Sequence, residues 1–134
     1  RSLIGCAVDY EPRIDRNAVA ANAGACRDFA HLTIALCRAR GVPARLAAVY
    51  APGLTPMDFH AVVEARVDGV WHVLDATRMA PRSSLVRIAT GRDAADTAFA
   101  TTLAGDAELL TFEVTATTDG DLPVDDHRAA VTLA

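Results

Sequence analysis

Along the chain, apolar and polar positions mark short elements before residue 25 and a longer helical pattern after it. Residues 3–10 read as a short strand broken by Glu11-Pro12-Arg13, and Asp15 or Asn17 then caps a short helix over residues 18–22. From Ala25 or Cys26 to Arg40, the residues Phe29, Ala30, Leu32, Thr33, Ile34, Leu36 and Cys37 leave almost no polar face, which predicts a helix at the centre of a domain. Asp28 in its first turn and Arg38 and Arg40 in its last complement the helix dipole, and Gly41 followed by Pro43 stops it.

The period then changes to that of strands. Residues 44–50 read as a strand and "APGLTPMD" as a loop with two prolines. Two apolar runs, 59–67 and 70–76, are separated by Asp68-Gly69, a dipeptide suited to a tight turn that needs positive φ at both positions, so they form a hairpin. Residues 85–89 read as a short strand, 92–103 as a weak helix or ordered loop, and 109–117 as a further strand on its alternation. The acidic, then small and apolar segment 118–134 is expected to be peripheral. With no internal repeat, low-complexity tract or linker, residues 1–134 read as a single α+β domain.

The hairpin turn fixes a register with chemical consequences. Counting back from a two-residue turn, Val67 faces Val70, Val62 faces Asp75 and His60 faces Thr77, so His60 and Asp75 are diagonal neighbours on one face. Diagonal neighbours lie about 7–8 Å apart at the backbone, a gap that an imidazole and a carboxylate can close to a hydrogen bond. Trp71 falls on the same face. His72 falls on the other, beside Val63, Ala65 and Leu74, and cannot share a metal with His60.

Composition narrows the functional classes. The chain has 134 residues, of which 51% are apolar, enough for a packed core. Its net charge of -4, with every basic residue an Arg, provides no basic field for nucleic acid. No apolar run reaches the roughly 20 residues of a membrane-spanning helix. The cysteines Cys6, Cys26 and Cys37 are odd in number and irregularly spaced, which fits reduced thiols and a cytoplasmic location. The chain opens on Arg1, so it is expected to be a fragment of a longer protein. Four scattered histidines and no glycine-rich phosphate loop imply neither a metal nor a cofactor.

A Cys/His/Asp set performs acyl transfer. An ordinary thiol, of pKa near 8.5, is mostly protonated at neutral pH, and a helix N-terminus together with an imidazolium lowers that value. Cys26 begins the central helix and would meet His60 if that helix packs on the His60 face of the sheet, while Asp75 would fix the imidazole tautomer. From spacing alone, a core cysteine and a nucleophile both remain open. Cys37, eleven residues on and about 16 Å along the helix, is core. Cys6 is read as structural, as is His31, which points away from Cys26 around the helix, and Arg27 and Asp28 are read as an ion pair or cap.

The segments "GACRDFAHLTIALCRARGVPAR" and "DFHAVVEARVDGVWHVLDAT", continuing through "RIATGRDAADTAFATT", resemble the transglutaminase-like superfamily, in particular its bacterial cysteine-peptidase branch. The resemblance implies a papain-like core, with a helix that starts at the nucleophilic cysteine and packs on an antiparallel sheet. It implies Cys26 as nucleophile, His60 as base and acid, and Asp75 as orienting carboxylate. The chain departs from the family in having Val62 where Trp is common, Ala76 where Pro is usual and Val49 where Gly is common. The Cys26 backbone amide is the first expected oxyanion donor; there is no Gln for the second, and Asn22 is the nearest amide side chain. Tyr50, Asp58 and Trp71 are expected to line the substrate cleft.

The implied activity is formation of a thioester at Cys26 and its hydrolysis, with a peptide or protein as substrate. Transfer of the acyl group to an amine, as in cross-linking, is the alternative enzymatic reading. A non-catalytic binding domain of the same fold is the alternative of another class.

Overall fold

The computed structural model describes the backbone of Leu3–Ile4 and residues 25–134. Strand β1, Leu3–Ile4, pairs antiparallel with β6, Ala100–Thr101, away from the main sheet. The rest of the expected strand 3–10, the helix expected over 18–22, and Cys6 and Asn22 lie outside the described residues.

Helix α1 spans Cys26–Ala39. Its N-cap, Ala25, has no side chain to cap with, and Asp28 compensates by accepting the Ala25 N–H at 3.0 Å. At the other end Gly41 takes φ +75° and donates to the Arg38 carbonyl at 3.0 Å, while Val42 donates to Cys37 at 2.9 Å. This is the Schellman pattern, in which a left-handed residue lets the chain reverse and satisfies the last carbonyls. Arg38 then ties the helix end to the next strand, its Nε and Nη2 donating to the Ala44 carbonyl at 3.2 and 2.9 Å.

Four antiparallel strands form the sheet in the order β4-β3-β2-β5: β2 is Ala44–Tyr50, β3 Phe59–Val67, β4 Val70–Leu74 and β5 Val86–Gly91. The turn joining β3 and β4 has Asp68 at φ 50° and Gly69 at φ 84°, and Val67 pairs with Val70. The expected register therefore holds along the ladder as far as Val63↔Leu74. A short 3-10 turn, Arg82–Ser84, leads into β5. The segment 92–103 is an ordered loop, in which Arg92 and Asp96 pair at 2.8 Å, and it ends in β6.

One face of the sheet is covered by α1, whose Ala30 and Ile34 pack with Ala44, Leu46 and Val63. The opposite face buries Ala47, Val49, Val62 and Val73, and what covers it corrects the expectation of a peripheral tail. Leu133, 8% exposed, is a member of that core cluster and Val131 packs against it. The apolar stretch "AAVTLA" supplies the side chains that this face needs. A second correction concerns residues 109–117, which are not a strand. Of these residues only Val114 is buried, while Leu110, at the same alternate positions, is 81% exposed, and the backbone forms no ladder among the described residues.

Candidate active site

Residues 41–43 return the chain from α1 directly into β2, so the two elements run in opposite directions. A helix of 14 residues spans about 21 Å and a strand of 7 about 23 Å. The start of α1 is thus level with the far end of β2, where Tyr50 pairs with Phe59 at the start of β3. Cys26, half-buried, is the first helical residue, and His60 is the second residue of β3. Main-chain geometry accounts for their meeting.

The condition that α1 packs on the His60 face is not met. Strand alternation assigns His60 to the face of Val62 and Glu64, whereas α1 covers the face of Val63, with Ala61 at its margin. Cys26 nevertheless interacts with the His60 ring, because His60 lies at the end of its strand where the helix N-terminus arrives.

His60 is 2% exposed and Asp75 8% exposed. Asp75 directly follows the last residue of β4, and its Oδ2 lies 2.9 Å from His60 Nε2. An ionised carboxylate only accepts, so Nε2 carries the proton and Nδ1 is the nitrogen left for the thiol. The other oxygen, Oδ1, accepts from the Thr77 backbone N–H at 2.9 Å and from its hydroxyl at 2.7 Å. Thr77 Oγ1 also lies 3.5 Å from His60 Nε2. Sequence reasoning passed over Thr77; its signal was the spacing "DAT", since Asp accepts readily from the residue two positions on.

Burial disfavours the charged imidazole, but the hydrogen bonds and negative charge of Asp75 and Cys26 outweigh it and raise the His60 pKa to about 9. Burial likewise opposes ionisation of Asp75, and the hydrogen bond and charge of His60, with the two bonds from Thr77, lower its pKa overall. Neutral pH thus finds His60 protonated and Asp75 ionised.

The other expected residues are distributed as follows. Tyr50, 39% exposed, has its ring 5.9 Å from Phe59, which continues to Phe99 and Phe112 at 5.6 and 6.2 Å. Asp58 Oδ1 accepts the Phe59 N–H at 2.6 Å and so ties down the start of β3. Trp71 does not join His60 and Asp75. It sits near the hairpin turn, four positions or about 13 Å before Asp75, with the Arg45 guanidinium 4.1 Å over its ring. Asn22 lies outside the described residues. The Cys26 amide is at the first helical position, where the N–H has no intrahelical acceptor.

His31 Nε2 accepts the Ala94 N–H at 3.2 Å, an acceptor role that requires a neutral ring nitrogen. Burial, the main cause, pushes its pKa down. Cys37 packs against the helix-side core, and His72 pairs with Ala65 on the face opposite His60. Among the described residues no group of three or more His, Cys, Asp or Glu side chains could hold a metal ion. No helix among them is long and apolar enough to cross a membrane.

Residues 7–76, just over half of the chain, match the family model of the transglutaminase-like superfamily. The fold is similar to the crystal structure of a candidate cysteine protease from Cytophaga hutchinsonii, with a TM-score of 0.73 and 46% sequence identity over 84% of this chain. The match spans 40% of that protein's chain, so this chain corresponds to well under half of its relative. No curated protein matches significantly.

Proposed function

The chain belongs to the transglutaminase-like superfamily, and from that premise we propose that it is a cysteine hydrolase acting on an amide or peptide bond through a thioester at Cys26. The observation that carries this reading is the His60 ring, held by Asp75 at 2.9 Å on Nε2 and interacting with Cys26.

His60 holds the proton that the Cys26 thiol has given up, and the sulfur attacks the carbonyl carbon to form a C–S bond. The negative charge that moves onto the carbonyl oxygen is met by the Cys26 backbone N–H at the positive end of α1. As the intermediate collapses, the C–N bond breaks and His60 returns its proton to the leaving nitrogen, which departs as an amine or ammonia. Water then loses a proton to His60 and attacks the thioester carbonyl; the C–S bond breaks and the proton returns to sulfur. Asp75 keeps the same imidazole nitrogen aimed at the sulfur throughout and offsets the positive charge of the ring.

Peptide and simple amide substrates incubated with and without a primary amine test this reading. Release of acid and amine that disappears in Cys26→Ala supports it. Amine incorporation faster than hydrolysis would replace it with acyl transfer to amines, and no turnover of either kind, with a Cys26 indifferent to His60, would leave a binding domain.

A further inference from the structure

Among the described residues β4 is an outer strand of the sheet, paired with β3 alone, and Asp75 is the residue that follows it. The polar groups on the outer edge of such a strand need partners from elsewhere. At Val73, two residues before Asp75, both are occupied. Its N–H donates to the Val131 carbonyl at 2.8 Å, and its carbonyl accepts from Arg82 Nη1 at 3.3 Å. Arg82, 4% exposed, is in turn held by Asp125: its backbone N–H and Nε both donate to Oδ2 at 2.8 Å, and Nη2 donates to Oδ1 at 2.8 Å. Further on, the Leu133 carbonyl accepts from Arg87 Nη2 at 3.3 Å, so the segment is fastened on both sides of Val131.

Building on the proposed roles of Cys26, His60 and Asp75, we infer that Arg82, fixed by Asp125, is a positioning residue for Asp75. It clamps the β4 edge two positions before the carboxylate and so sets the contact between Oδ2 and His60 Nε2. A buried ion pair is a poor stabiliser, because desolvation offsets much of its attraction, but a bidentate guanidinium–carboxylate fork fixes direction well. Direction is what Asp75 requires, since a hydrogen bond of 2.9 Å is lost with less than 1 Å of drift.

Two variants test the clamp. Asp125→Asn keeps the shape of the side chain but weakens the fork, and the double variant Arg82→Met with Asp125→Leu removes both charges without leaving either buried alone. Circular dichroism reports whether each is folded, NMR follows the His60 ring through its titration, and iodoacetamide reports the rate at which Cys26 is alkylated across pH. In the folded variants the His60 titration midpoint falls from about 9 toward the ordinary 6.5, and the Cys26 alkylation profile departs from that of the wild type. Folded variants whose His60 titration and alkylation profile match the wild type would overturn the inference and leave Arg82 a fold residue. If Asp125→Asn does not fold, the double variant decides. A wild-type Cys26 whose alkylation ignores His60→Ala would overturn the reading of the site itself, and the inference with it, whatever Arg82 does.

Discussion

At the scale of single residues, His60 has two partners pulling in the same direction. Asp75 and Cys26 both favour the protonated ring, and their combined effect exceeds the cost of burying it. A neighbouring imidazolium favours the thiolate form of a cysteine. Iodoacetamide should therefore label Cys26 in mildly acidic solution, His60→Ala should abolish that acidic limb, and Cys37 should stay inert under both conditions; mass spectrometry of the labelled peptides separates the two thiols. Thr77→Val removes the 2.7 Å bond to Asp75 Oδ1 and leaves the isostere in place. A hydrogen bond to a charged group contributes about 1.5–3 kcal/mol, so the proposed reaction is expected to slow by about 10- to 150-fold, with the His60 titration moving down. An unchanged rate would limit Thr77 to a turn residue.

At the scale of elements, α1 and the β3–β4 hairpin were legible because each is specified by neighbours in sequence. Gly41 and Asp28 mark the ends of α1 locally, and Asp68-Gly69 sets the register that brings His60 and Asp75 together. Residues 109–117 alternate in sequence yet form no strand, and Leu110 and Phe112 are exposed where Val114 is buried, because alternation by itself neither pairs a backbone nor buries its side chains. Trp71 shares a face with His60 and Asp75 yet lies far from them, since a shared face says nothing about distance along it. Two element-scale outcomes follow. Leu46, 1% exposed beneath α1, loses about 2–5 kcal/mol of stability on replacement by Ala, read from urea unfolding. Gly69→Ala, at φ 84° with open space around its Cβ, costs about 1 kcal/mol through backbone strain alone.

For the whole molecule, the sheet lies between α1 on one face and the returning C-terminal segment on the other, and the pair of His60 and Asp75 ties its stability to pH. The folded His60 pKa, about 9, exceeds the ordinary 6.5, so this contribution is complete below 6.5, declines as the unfolded chain releases its proton, and is gone above 9. Asp75 has the opposite sign: its lowered pKa adds stability above 3.8 that is lost as pH falls below it. Thermal midpoints should thus fall between pH 6.5 and 9 more steeply in the wild type than in His60→Gln, and parallel curves would contradict the pairing. The role of residues 125–133 was not legible, because Arg82 and Asp125 are far apart in sequence and nothing local distinguishes their pairing from a surface one. "GACRDFAH" by itself determined a helix that starts at Ala25 or Cys26, and Asp68-Gly69 determined that His60 and Asp75 share a face, since caps, tight turns and strand alternation act over a few residues. Only the tertiary structure decided that α1 covers the opposite face, that its start nonetheless reaches His60, and that the C-terminal segment closes the β4 edge, because those outcomes depend on which apolar surfaces find each other across the chain.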